Sequence, residues 1–145
     1  TSGLWVDNAG IDEIGRDPCK SARMFWEKRQ ERKDWQGLYF GGVAFKYQPP
    51  VQDVARVAKL AAPYMDVITT SGERTGQVPT VEKIRVMREA IGEHPLGIAS
   101  GITQANVENY LGAADCFLVA TGISRSFTEL DPVRVRKLAQ TIHSS

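Results

Sequence analysis

Leu96-Gly97-Ile98-Ala99-Ser100-Gly101-Ile102-Thr103 is an apolar run that ends in a hydroxyl, a glycine, an isoleucine and a second hydroxyl. Cys116-Phe117-Leu118-Val119-Ala120-Thr121-Gly122-Ile123-Ser124 repeats that arrangement. A strand covered on both faces shows a continuous apolar run rather than strict alternation, so Leu96–Ala99 and Cys116–Ala120 read as buried strands of a parallel sheet. Leu4–Val6, Leu38–Phe45 and Asp66–Thr70 have the same character, which makes five expected strands.

The segments between them carry helical spacing. Ala22, Phe25 and Trp26 share a face, as do Val54, Val57, Ala58 and Ala61. So do Ile84, Met87 and Ile91, then Val107, Tyr110 and Leu111, then Val135, Leu138 and Ile142. Three- and four-residue steps are those of an amphipathic helix. Thr80 precedes the third helix, with Glu82 in its first turn where a negative charge favours the helix dipole. Thr103 is placed to cap the fourth, and Asp131-Pro132 sets a capping carboxylate before a proline at the first helical position.

Alternation at roughly 30-residue spacing predicts βαβ units, right-handed crossovers and a parallel sheet. Two architectures fit this pattern. One is a complete five-stranded, doubly wound sheet of the flavodoxin type. The other is the C-terminal part, strands four to eight, of a (βα)8 TIM barrel. Five strands do not close a barrel, and a partial barrel leaves two sheet edges to be covered. Either way, residues 1–145 read as a single α/β domain.

Composition is that of an ordinary globular chain, with 42% hydrophobic and 24% charged residues. Lys and Arg number 18 against 17 Asp and Glu, and a net charge of +1 gives no reason to expect nucleic acid or an anionic membrane as partner. No apolar run is long enough to span a bilayer, and the first residues carry no signal-peptide pattern. Cys19 and Cys116 lack metal or redox spacing and read as reduced thiols of a cytoplasmic protein. The tail Thr1-Ser2-Gly3 leads straight into the first strand, as expected of a piece of something longer.

Both architectures place ligands at the C-terminal ends of the strands. There the matched turns Ala99–Thr103 and Ala120–Ser124 suggest a cup of amides and hydroxyls suited to a phosphate dianion, each followed by a helix whose dipole would favour an anion. The expected phosphate-binding residues are Ser100, Gly101, Thr103, Thr121, Gly122 and Ser124. The bland alternative is that the glycines only permit tight turns. After the third strand, the loop of Ser71, Gly72, Glu73, Arg74 and Thr75 is placed to cover a ligand, with Arg74 as anion contact and Glu73 as acid or base. Lys46 ends the second strand among apolar neighbours, where a lysine serves as base, Schiff-base nucleophile or phosphate ligand. Asp7 ends the first strand and is a candidate base or hydroxyl acceptor, although Asx residues also cap turns.

Other chemistry is absent from the pattern. His94 and His143 fall on the wrong side of the sheet, and there is no Ser-His-Asp set, zinc spacing or identifiable cofactor motif. The basic run Lys28–Lys33 reads as a solvated helix face with i,i+4 pairs, and Trp26 and Trp35 as packing for that helix.

Several of these segments resemble the BtpA/SgcQ family. The similarity lies in Asp66-Val67-Ile68-Thr69-Thr70-Ser71-Gly72 with Thr75-Gly76-Gln77-Val78-Pro79, and in Leu96–Thr103 with Asn106-Val107-Glu108-Asn109-Tyr110-Leu111. It continues in Asp131-Pro132-Val133-Arg134-Val135 and covers about Gly37 to Ile142. The resemblance implies a (βα)8 barrel of the phosphate-binding kind, and with it an N-terminal part not contained in this chain. It departs at Tyr47, where the family usually has histidine after the lysine, and at Asp7-Asn8-Ala9-Gly10. One branch of the family is linked to photosystem I assembly, and others look like sugar- or nucleoside-phosphate enzymes. The expectation is therefore a protein that binds a phosphorylated small molecule, either an enzyme of undefined reaction or a non-catalytic assembly factor. Its barrel would be completed by a second copy or by an N-terminal segment.

Overall fold

A computed structural model of the chain describes residues 2–144, so Thr1 of the expected tail lies outside the described residues. Five strands alternate with helices: β1 (Gly3–Val6), α1 (Lys20–Glu31), β2 (Leu38–Gly42), α2 (Val54–Ala61), β3 (Val67–Thr70), α3 (Val81–Ile91), β4 (Leu96–Ala99), β5 (Cys116–Leu118) and α4 (Pro132–His143). All neighbouring strands are parallel, and their spatial order is their chain order, β1-β2-β3-β4-β5. A flavodoxin-type sheet reverses direction at a switch point. None exists here, so that alternative is overturned. Crossovers of one hand between consecutive neighbours place the helices on one face of the sheet, and the sheet curls into a half-barrel of TIM type.

The core lies between the outer face of the sheet and the helices. Tyr39, Ile68, Leu96 and Ile98 pack there against Val57, Ala58, Ala61, Ile84, Met87 and Leu138. The opposite face lines the inside of the curl, where Val67, Gly97, Cys116 and Leu118 are neighbours. Trp5 on β1 is 43% exposed, and Leu4 and Leu38 at the same edge are also open to solvent. Among the described residues no helix is long and apolar enough to cross a membrane.

At the N-terminal end of the sheet one device occurs twice. Asp66 donates its N–H to Tyr39 O at 3.0 Å and accepts from Tyr39 N through Oδ2 at 2.6 Å. Asp115 does the same to Leu96, at 2.8 and 2.7 Å. Each carboxylate also meets an arginine from a helix, Arg29 of α1 at 2.7 Å from Asp66 and Arg88 of α3 beside Asp115. The expected solvated face over Lys28–Lys33 is corrected by this. Arg29 turns inward to Asp66 and Gly37 O, and the pair on the helix surface is Lys28 with Glu31, three residues apart. Trp35 lies under the Arg29 guanidinium, 5.1 Å from its ring centre.

Four further expectations change. The second strand stops at Gly42, because Ala44 takes positive φ (47°) and turns the chain before Phe45; Tyr47 (63°) turns it again just after. The fifth stops at Leu118. The fourth helix is a single 3₁₀ turn, Val107–Tyr110, since Leu111 is extended and Gly112 has φ 78° on the way into β5. Thr103 does not cap it; instead Asn106 Oδ1 accepts from Thr103 N at 2.8 Å. The other two caps hold, with Thr80 Oγ1 accepting from Lys83 N and Asp131 from Val133 and Arg134 N.

The Asp66 side chain is 34% exposed and that of Asp115 53%. Asp66→Ala is therefore expected to cost about 1–3 kcal/mol in urea unfolding, and Asp115→Ala less. His94 has a buried Nε2 without a hydrogen-bond partner, and burial pulls its pKa below 6.5. The unfolded chain thus takes up this proton first, so the contribution is intact above pH 6.5 and lost as pH falls below it. Melting temperatures measured between neutral pH and about pH 5 should drop less steeply in His94→Gln than in the parent chain.

Candidate functional site

The loops after the strands gather at the C-terminal rim. They enclose a cavity of about 330 Å³ in the mouth of the curl, lined by Trp5 of β1, Lys46, Thr75 and Gly76, the turn Ala99–Ile102 and the segment Leu118–Gly122. Of the expected phosphate residues, Ser100, Gly101, Thr121 and Gly122 face this one space. Thr103 lies on the far side of the turn beside Gln104 and Arg134, and Ser124 spends its hydroxyl on Ala120 O at 2.9 Å.

The glycines have a structural duty as well. A Cβ on Gly101 would sit 2.3 Å from Val78 N, and one on Gly122 would sit 2.1 Å from Ile102 O. Each loop thus rests backbone-to-backbone on the loop before it, as the bland alternative requires. The two turns, alike in sequence, differ in form. Ser100 and Gly101 both have positive φ, 127° and 72°, whereas Thr121–Ile123 is a 3₁₀ turn. Behind the first turn only a short 3₁₀ turn stands where an α-helix is expected; behind the second, the expected helix forms as α4, but from Pro132, with its first N–H groups already bound by Asp131. The anion-favouring elements are therefore local amides, hydroxyls and Lys46.

A second cavity of about 680 Å³ lies between the β2–α2 and β3–α3 loops. Lys46 borders both spaces, while Ser71, Gly72, Glu73 and Arg74 line only the larger one and Thr75 only the smaller. Ser71 is fully buried; it accepts from Lys46 N at 2.8 Å and donates to Gly72 O at 2.7 Å, so its hydroxyl holds the two loops together. Tyr47, at the departure from the family pattern, closes the same gap with its hydroxyl 3.2 Å from Thr75 Oγ1, and that contact lowers its pKa. Asp7 is exposed and borders neither cavity; its carbonyl accepts from Gln48 Nε2 at 2.6 Å.

Sequence reasoning misses Lys83. It stands in the first turn of α3, where side chains lean toward the helix N-terminus and so toward the rim. Its ammonium donates to Ala44 O at 2.5 Å and Ser71 O at 2.8 Å, and burial pulls its pKa down to about 8. The Thr80 cap is the signal that could have placed it, because that cap fixes where α3 begins. Thr69 is also unanticipated, its Oγ1 buried without a hydrogen-bond partner. Among the described residues no group of His, Cys, Asp and Glu is arranged to hold a metal.

A curled parallel sheet with strands in chain order and its loops gathered over their C-terminal ends defines a barrel-type βα protein. Within that class, the model of the BtpA family matches residues 47–144, and the chain belongs to that family. No curated protein matches the chain.

Replacing Gly122 by alanine would press a methyl into the Ile102 carbonyl. A loss of about 1–3 kcal/mol is expected in chemical denaturation. An unchanged midpoint would show that the loops do not rest on each other there.

Proposed function

We propose that this BtpA-family chain binds a phosphorylated small molecule, a sugar or nucleoside phosphate, with the phosphate in the smaller cavity. The observation that carries this reading is the convergence of Ser100, Gly101, Thr121 and Gly122 on one space that Lys46 borders from across the sheet. Thr103 and Ser124 serve the same site indirectly, by shaping the two turns. Lys46 supplies the positive charge, and Arg74, Ser71, Gly72 and Thr75 belong to the loop that covers the rest of the ligand. A carboxylate, Glu73 from the larger cavity or Asp7 from the rim, carries the proton in an enzymatic reaction.

A second reading is a non-catalytic assembly factor, related to the photosystem I assembly branch. Tyr47 in place of histidine favours it, since that side chain is committed to Thr75. Free Cys19 and Cys116 support a reducing, cytoplasmic setting for either. The open edge at β1 supports pairing with a second copy or with further chain.

Inorganic phosphate and ribose 5-phosphate, titrated to millimolar concentration, should shift the amide resonances of Ser100, Gly101, Thr121 and Gly122. Lys46→Ala should weaken binding about tenfold or more. Silent resonances at these four residues would sink the phosphate site, and turnover of a phosphorylated compound lost in Lys46→Ala would exclude the assembly-factor reading.

A further inference from the structure

The larger cavity holds an amine in an uncommon setting. Lys83 Nζ is tied to two carbonyl oxygens, Ala44 O and Ser71 O, one from each loop that walls the groove. The neighbouring carboxylate on its own helix, Glu82, is already bound to Arg85. The charged groups lining the groove with Lys83 are Lys46, Glu73 and Arg74, and Tyr47 lies among them. Of these, Glu73 acts on Lys83 across space and partly offsets the effect of burial.

Two carbonyl partners suit a neutral amine as well as an ammonium. An ammonium has three N–H groups, and one is left over after both carbonyls are served. A neutral amine has two N–H groups, one for each carbonyl, and its lone pair takes the remaining tetrahedral position. Losing the proton therefore breaks neither loop contact and exposes a nucleophile on a side chain that lines a cavity. A lysine whose task was only to tether loops would gain from a carboxylate partner, which would hold it charged.

We propose that this groove, which adjoins the phosphate cavity and shares Lys46 with it, is a carbonyl-capturing site, and that Lys83 is its nucleophile, forming an imine with an anionic aldehyde or ketone. The anionic preference follows from Lys46 and Arg74, which outnumber Glu73 along the walls. The neutral amine adds its lone pair to the carbonyl carbon, and the carbonyl oxygen takes up a proton. The resulting carbinolamine gives up its hydroxyl as water, with the nitrogen losing its hydrogens. The sum is one carbonyl and one amine giving one imine and one water, with no change in oxidation state. Glu73 is the groove's carboxylate for carrying the proton between nitrogen and oxygen.

The test uses the intact chain with glyoxylate and sodium cyanoborohydride, which traps an imine by supplying hydride, followed by peptide mass mapping. Glyoxylate carries no phosphate, so the outcome is independent of the phosphate reading. Lys83 is expected to be labelled roughly tenfold faster at neutral pH than the exposed Lys20, Lys28 and Lys59, its larger neutral fraction outweighing its lower intrinsic nucleophilicity. Its labelling rate should reach half-maximum near pH 8. Unfolding the chain in urea should abolish the difference. Lys83→Arg keeps a cation for the two carbonyls and should retain the melting temperature while losing the fast label. Neutral glycolaldehyde should label Lys83 more slowly than glyoxylate does. Labelling of native Lys83 no faster than that of the exposed lysines would overturn the proposal, whatever the variant does, and equal rates with both aldehydes would overturn the anionic preference.

Discussion

The base of the sheet hangs on two aspartates. A parallel strand pair needs its register set at the point where the chain enters, because its slanted hydrogen bonds repeat evenly along the strands. Asp66 and Asp115 set it by gripping both backbone groups of a residue in the preceding strand, Tyr39 and Leu96. The arginines beside them, Arg29 and Arg88, come from helices, so the same carboxylate joins a strand, its neighbour and the helical layer. A one-residue slip would break this grip and turn the apolar outer face of the strand inward.

With the base held, the rim is free to be irregular. There the loops rest on one another through close backbone contacts at Gly101 and Gly122 and are joined by side chains of Ser71, Tyr47 and Ser100. That leaves the side chains and amides of Ser100, Thr121 and their neighbours beside the cavity in the mouth of the curl. Lys83 extends the same logic sideways by joining the ends of two loops from within the helical layer. The register-setting aspartates and the candidate site thus sit at opposite ends of the strands, the division of labour that barrels generally show.

Much of this is legible in the residue order. The apolar runs mark the strands, fully covered on both faces at β3 and β4 and open at β1, and Thr80 and Asp131 mark helix starts because short polar side chains satisfy the free N–H groups there. The likeness between Ala99–Thr103 and Ala120–Ser124 correctly singles out the rim segments that come together. It misleads about their shape. Ser100 and Gly101 take positive φ, with Gly101 against the Val78 backbone, while Gly122 lies in a 3₁₀ turn against the Ile102 carbonyl and the Thr103 methyl, so similar residues fold differently. The amphipathic spacing of Val107, Tyr110 and Leu111 is real but spans too few residues before Gly112 to sustain an α-helix.

The sequence by itself determined the strand–helix alternation, the Thr80 and Asp131 caps, the BtpA resemblance and the rim segments, since these rest on local periodicity and short-range hydrogen bonding. Only the tertiary structure decided that the strands run in chain order, which rules out the doubly wound sheet. It also placed Lys46 between two cavities and brought Lys83 to Ala44 and Ser71. Such facts depend on contacts between residues far apart in the chain, whose energies no local pattern encodes.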